Sequence, residues 1–375
     1  MTMHVNRRAL MLGGAAALSI SAASARGRAM QVFLLGQCLI QHDLRAVAWR
    51  GAADFTALFS GADACFTDLE TPIRGPNAGA VTRDPALLHL ADPSVIDSLQ
   101  ALHIDLMATS NNHAFDVGTG GILDTMSALQ ARGVAFAGTG NDLAAAGAPG
   151  VLRSSRGTTA LVAFATGKIR EGGAATASRP GVNEVRRDAA GGLNEDDVAR
   201  VLASIRSAAK RCDVVLAYDH NHYWEKNIED VPAWQTALAH RCIDAGASCF
   251  VSHGAPVLQG IEIYKGRPIF YDLGNFMFQS PSHDNPYGPH LWQGLVAQLS
   301  IRNGQFVEAR LIPVVLNPVG AGGENDLVTR GLPARAAAEQ ADEILGRLAE
   351  LSRPFGTRIA SAGRFGLIES AEQAG

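Results

Sequence analysis

The chain has 375 residues, of which 47% are hydrophobic and 18% charged, and a formal net charge of -4, the profile of a folded globular protein rather than a disordered one. Thirty-two Lys and Arg against 36 Asp and Glu leave no cationic surplus for a phosphate backbone, so no nucleic-acid partner is expected. Forty glycines, 16 prolines and 6% aromatics imply many turns and a core of Ala, Val, Leu and Ile.

At the N-terminus Asn6, Arg7 and Arg8 precede an uncharged stretch, residues 9–25, that closes on Ala23, Ser24 and Ala25. A charged start, an apolar middle and an A-x-A end describe an export signal. Paired arginines before a Gly/Ala-rich segment resemble the twin-arginine type, a receptor-read address. Residues 1–25 are expected to be cleaved, giving a periplasmic or secreted protein with no stable membrane anchor. The competing reading is an uncleaved anchor, for which about 17 apolar residues is at the short limit. Five cysteines, Cys38, Cys65, Cys212, Cys242 and Cys249, form no C-x-x-C pair, which argues against a cysteine zinc site. A bridge among Cys212, Cys242 and Cys249 fits an oxidising compartment, and buried thiols are expected for most of the five.

Apolar runs that end in polar or glycine-rich residues recur at 32–35, 64–67, 106–109, 161–165, 214–218 and 249–251, and read as buried strands. Helical patterns lie between them at 119–132, at 194–211 with acids first and bases last, and at 234–245,. Such alternation implies an α/β fold with a mainly parallel sheet. Hairpins follow, one over 261–271 around Lys265-Gly266 and one over 295–315 around Asn303-Gly304,. Residues 333–351 read as a surface helix, and those after Arg353 carry little signal. A single domain over 31–353 with a tail over 354–375 is expected.

Unusual polar groups cluster just after the strands: Gln37, then Asp68 and Glu70, then Asn111, Asn112 and His113, then His220 and His222, then His253. The carboxyl ends of strands in an open α/β sheet form its binding crevice, so these side chains should converge. Carboxylate, amide oxygen and imidazole are together the ligand types of a Zn, Mn or Fe site. A divalent ion of this kind is the expected cofactor.

The runs Thr67-Asp68-Leu69-Glu70, Asn111-Asn112-His113 through Asp116 and Gly118, Gly138-Thr139-Gly140-Asn141 and Leu273-Gly274-Asn275-Phe276 resemble the CapA family, named for capsule and poly-γ-glutamate synthesis. The resemblance places the chain in the calcineurin-like metallophosphoesterase superfamily and implies a four-layer α/β/β/α sandwich of the metallophosphoesterase type. It implies Asp68 or Glu70, Asn112, His220 and His253 as metal ligands. The sequence departs from the superfamily pattern on one ion: Gln37 and Leu39 stand at the first Asp and His positions, and Ala255 or Pro256 replaces the last histidine. Too few charged donors remain for a second ion, so a mononuclear site is expected, with His42, Asp43 or His222 the residues able to rebuild a second.

Within that scheme His113 is the expected general acid, and Asp116 either fixes its tautomer or caps the following helix. Gln37, Arg45, Asn111, Arg179, His222, Glu225 and Asn275 are the candidates for substrate contact, with Arg45, Arg74 and Arg179 as an anion clamp. Tyr223 and Trp224 read as rim or packing residues, and Glu262 as a support for His253 or a solvated strand position. The expected function is hydrolysis of a small-molecule or polymeric anionic substrate by a metal-activated water. A lone ion favours γ-glutamyl or amide bonds over phosphoesters. The alternative is a non-catalytic accessory or polymer-binding protein of capsule or poly-γ-glutamate assembly.

Overall fold

Two sheets organise the computed structural model, which describes residues 28–280 and 286–369. In the first, the strands lie in the order Ala360–Ser361, Gly366–Glu369, Gln305–Leu316, Gln293–Arg302, Met30–Leu35, Ala64–Asp68, Leu106–Ala108 and Ala135–Ala137, with Pro333–Arg335 paired to Gln305–Leu316. In the second the order is Ile261–Tyr264, Arg267–Phe270, Cys249–His253, Val214–Asn221, Thr158–Thr166 and Gly150–Arg153. Each sheet is parallel where strands alternate with helices and antiparallel where hairpins close it. The two hairpin turns pair Lys265 with Gly266 and Asn303 with Gly304, all four at positive φ. That geometry matches the twist of the flanking strands.

Period-two alternation sets the layers. Val32, Leu34, Phe66 and Leu106 share one buried core with Leu161, Leu216, Tyr218 and Val251, which glues sheet to sheet. Their neighbours Phe33, Leu35, Cys65 and Met107 face a second core built with helices Ala52–Phe59, Ser94–Ala101 and Gly118–Ala131. Val162, Phe164, Val215, Ala217 and Phe250 face a third, with helices Glu195–Ala209 and Ala233–Asp244. The layer order is therefore α/β/β/α. Helix Glu195–Ala209 starts on an Asn194 side chain that accepts from the Asp197 N–H at 3.1 Å, and Glu195, Asp196 and Asp197 fill its first turn, where the helix dipole favours negative charge.

Several elements differ from the sequence reading. Residues 360–361 and 366–369 are edge strands of the first sheet, with Gly366–Glu369 paired to Gln305–Leu316, where the sequence suggested a tail. Helix Ala338–Ser352 buries Ala341, Ile344, Leu345 and Leu348, so only part of it faces solvent. Gln37–Leu39 and Asn275–Phe278 form a short parallel pair too brief to leave a periodic signal. All five cysteines are free, so the proposed bridge among Cys212, Cys242 and Cys249 is not formed. The signal-like residues 1–25 lie outside the described residues, among which no helix is long and apolar enough to cross a membrane.

Candidate metal centre and proton relay

The site sits at the carboxyl ends of the central strands, between the two sheets. Ala64, Phe66 and Asp68 alternate onto the inter-sheet face, as do Leu216, Tyr218 and His220. The apolar members fill the core and the last polar member of each strand emerges at its crest. His222 continues the same two-residue spacing beyond the strand end.

His220 is the pivot, fully buried. Its Nδ1 faces the Tyr218 hydroxyl at 3.1 Å and Asp68 Oδ2 at 3.2 Å. A proton on Nδ1, directed at Asp68, leaves Nε2 with a lone pair. Around Nε2 stand Asn112 Oδ1 at 2.9 Å, His222 Nε2 at 3.1 Å and Glu70 Oε1 at 3.8 Å. Four acceptor-type atoms thus point at one another, an arrangement that only a proton or a cation between them makes favourable. Burial pulls the His220 imidazole down, but the Asp68 hydrogen bond and the charges of Asp68 and Glu70 overcome it and raise the ring above its ordinary value. Burial also pushes the Glu70 carboxyl up to about 7, with Asp68 adding to the rise. The same burial holds His222 well below the usual imidazole range.

These residues fit a divalent cation. Glu70, His220 and His222 each offer a ligand atom within 4.8 Å of the others. Metal–ligand bonds of about 2.0–2.1 Å in a tetrahedron separate the ligand atoms by about 3.4 Å, the middle of the 2.9–3.8 Å spread seen around Nε2. Glu70 Oε2 and His222 Nδ1 are buried with no hydrogen-bond partner, which leaves donor capacity unused.

The grouping differs from the one implied by sequence resemblance. Asp68 lies on the opposite side of His220 from Glu70 and is anchored by Asn111 Nδ2, at 3.0 Å from its Oδ1. His253 pairs in register with His220, yet its ring packs on Tyr218 at 5.4 Å and Phe66 at 6.3 Å. Burial, then the charge of His220, pulls its imidazole down to about 3 against a hydrogen bond with the Leu35 backbone. His253 is not among the residues whose ligand atoms converge, which are Glu70, His220 and His222. His222, read from sequence as a substrate contact, stands instead among the donors.

A hydrogen-bonded chain of His113, Asp116 and Arg83 adjoins the donors. His113 Nδ1 lies 2.8 Å from Asp116 Oδ2, and Arg83 donates from Nε to Asp116 Oδ1 at 2.7 Å and from Nη2 to the Asn112 carbonyl at 2.8 Å. Asp116 is therefore a partner of His113, not a helix cap; the N-cap position is Val117, with no side-chain bond. Burial, then the charges of Arg83, His220 and Arg170, hold His113 well below the imidazole range, so its ring is neutral. Its Nε2 faces Glu70 Oε1 at 3.8 Å, and the His89 ring packs against it at 4.7 Å.

Other sequence candidates lie elsewhere. Arg45 is half exposed and chelates Asp43, which also accepts from Ser98, so neither is available to the site. Arg74 pairs at 4.0 Å with the exposed Asp92, Arg179 donates to the Ala174 carbonyl, and Glu225 is exposed. Gln37 accepts from the Gly254 N–H at 3.1 Å and Asn275 donates to the carbonyls of Pro256 and Leu291; both tie strand ends together. Glu262 bonds His240 and Tyr271 rather than His253. Arg83, His89 and Tyr218 went unnoticed because the first two lie in an irregular loop and the third reads as core.

Residues 31–280 match the family described as bacterial capsule synthesis protein PGA_cap. The chain belongs to this family. Among its PGA_cap-type relatives, a probable polyglutamine synthesis accessory protein of Mycobacterium tuberculosis is 29% identical over 80% of this chain and 75% of that one. The PGA biosynthesis protein CapA of Bacillus subtilis is 30% identical over 48% of this chain and 44% of its own. An uncharacterized protein of Sinorhizobium fredii is 28% identical over 89% of this chain and 92% of its own length. Among solved structures, a 5'-nucleotidase precursor of Thermus thermophilus is similar at a TM-score of 0.40 and 13% identity, covering 86% of this chain and 58% of that one.

Proposed function

We propose that the chain is an exported metal-dependent hydrolase that cleaves an amide or γ-glutamyl bond in an anionic substrate. The carrying observation is the convergence of Glu70, Asn112, His220 and His222 beside a neutral, carboxylate-anchored His113. These four residues would hold one divalent ion of the Mn, Zn or Fe kind. Bound there, such an ion lowers the pKa of water toward 7 and polarises a carbonyl or phosphoryl oxygen.

The rest of the chemistry belongs to the chain. Asp116 keeps the His113 proton on Nδ1, so Nε2 offers a lone pair toward the gap it shares with Glu70. There it takes a proton from the attacking water and returns it to the leaving nitrogen. Arg83 neutralises Asp116 and fixes the Asn112 backbone, holding relay and donor set in one frame. Asn111 and Tyr218 orient Asp68 and His220 from behind.

The test is twofold. Metal-loaded protein, with ions counted per chain, is incubated with poly-γ-glutamate and with p-nitrophenyl phosphate. One ion per chain and release of amino groups from the polymer, slowed about 10²-fold or more in His113→Ala with metal retained, is the expected result. A second reading is favoured by the name of the mycobacterial relative, a synthesis accessory protein. Binding of the polymer without cleavage of either substrate would establish that reading instead. Export by the twin-arginine route rests on Arg7, Arg8 and the Ala23-Ser24-Ala25 pattern, and a mature mass beginning at Arg26 tests it.

A further inference from the structure

Residues 167–173 leave strand Thr158–Thr166 and pack against Tyr223 at one end and Phe115 at the other. Gly167 has φ +85°, and a Cβ there would stand 3.0 Å from the Tyr223 ring. A Cβ on Gly173 would stand 3.1 Å from Phe115, the residue before Asp116. The backbone thus packs closely on Tyr223, next to His222, and on Phe115 of the His113–Asp116 turn, at contacts tighter than most Cβ atoms make, and the positive φ of Gly167 favours glycine there.

This loop carries two cations. Lys168, at φ +55°, holds Nζ 5.1 Å from the centroid of Trp224, whose ring lies 4.9 Å from that of His222. Arg170 is partly buried, and its Nε is shut off from solvent with no hydrogen-bond partner. Its charge reaches both His113 and Asp116. Neither Lys168 nor Arg170 forms an ion pair among the described residues, whereas Arg83 spends its guanidinium on Asp116 and Asn112. A buried guanidinium N–H without an acceptor is unfavourable unless something brings one. The sequence-level clamp of Arg45, Arg74 and Arg179 is turned to other partners, so the loop supplies cations whose charge reaches His113 and His222 without being spent on a carboxylate.

We infer that residues 167–173 form an anion-recognition loop in which Lys168 and Arg170 take a carboxylate or phosphate of the substrate. The guanidinium fork of Arg170 suits two oxygens of one anion, and Lys168 over Trp224 adds a point charge at the His222 side. The position of the scissile bond relative to this anion rests on the hydrolase reading above; the anion contact itself needs no metal.

Calorimetric titration of the full chain with glutarate and with inorganic phosphate, each in EDTA and with one equivalent of Mn, tests the inference. The parent is expected to bind at least one anion, with affinity falling as salt rises. Lys168→Gln and Arg170→Gln should each weaken it about tenfold, and the double variant more, with the melting midpoint unchanged as the check on folding. Tighter glutarate binding assigns a carboxylate and tighter phosphate binding a phosphoryl group; both uphold the loop. A parent that binds neither anion, or a double variant that binds as tightly as the parent, overturns it. If no Mn binds yet anion affinity in EDTA still depends on both residues, the hydrolase reading fails and the loop stands.

Discussion

Replacing Glu70 by Gln separates the cost of the carboxyl in the empty fold from its use as a ligand. Glu70 is 4% exposed, its Oε2 has no partner, and burial moves the carboxyl from 4.5 to about 7. Ionising it in the metal-free protein therefore costs about 3 kcal/mol. Because the folded value is raised, the protonated carboxyl contributes its full stability below about pH 4.5, and that contribution disappears as pH climbs through 7,. In EDTA, the parent should lose about 3 kcal/mol between pH 4.5 and 8 relative to Glu70→Gln, which has nothing to ionise. Metal offsets most of that loss: at 100 times its Kd it stabilises the parent by about 2.7 kcal/mol, and it should do so above pH 7, where the carboxylate is free to ligate. Urea denaturation of both proteins across that range, with and without Mn, reads both effects. Coincident pH profiles in EDTA, or equal stabilisation of the variant by Mn, would refute the reasoning.

Three further outcomes are expected. Tyr218→Phe removes the hydroxyl facing His220 Nδ1 and should weaken metal binding about tenfold by equilibrium dialysis, since outer partners orient ligating imidazoles. His253→Phe should leave ions per chain unchanged and keep or raise the melting midpoint, because a fully buried imidazole that its burial keeps from ionising is exchanged for an apolar ring packed on Phe66 and Tyr218,. Arg83→Gln strips Asp116 of a buried cation and should destabilise the fold by about 3–5 kcal/mol in denaturant titration.

The sheet strands were legible because each is a short apolar run ended by polar residues, and the residues at those ends do meet at one crest. Which of them meet was not. His220 and His253 look equivalent in sequence, each two residues past a core residue of its strand, but the His253 ring packs on Phe66 and Tyr218 while His220 stands among the donors. A tyrosine in a core strand gives no hint that its ring packs on one histidine while its hydroxyl faces another. Spacing alone also does not tell which side of an imidazole a carboxylate takes, so Asp68 and Glu70 read alike although they face opposite nitrogens of His220. Arg83 was hidden because its loop has no periodicity; the contact with Asp116 spans 33 residues. The edge strands at 360–369 were missed because their apolar content is small and their pairing is with residues 308–311, far along the chain.

Crystals soaked in Zn and measured at its absorption edge would locate the ion directly. One anomalous peak per chain is expected, about 2.0–2.2 Å from a Glu70 oxygen and from Nε2 of His220 and of His222. A peak ligated by Asp68 and His253 instead, or two peaks in the crevice, would contradict that expectation.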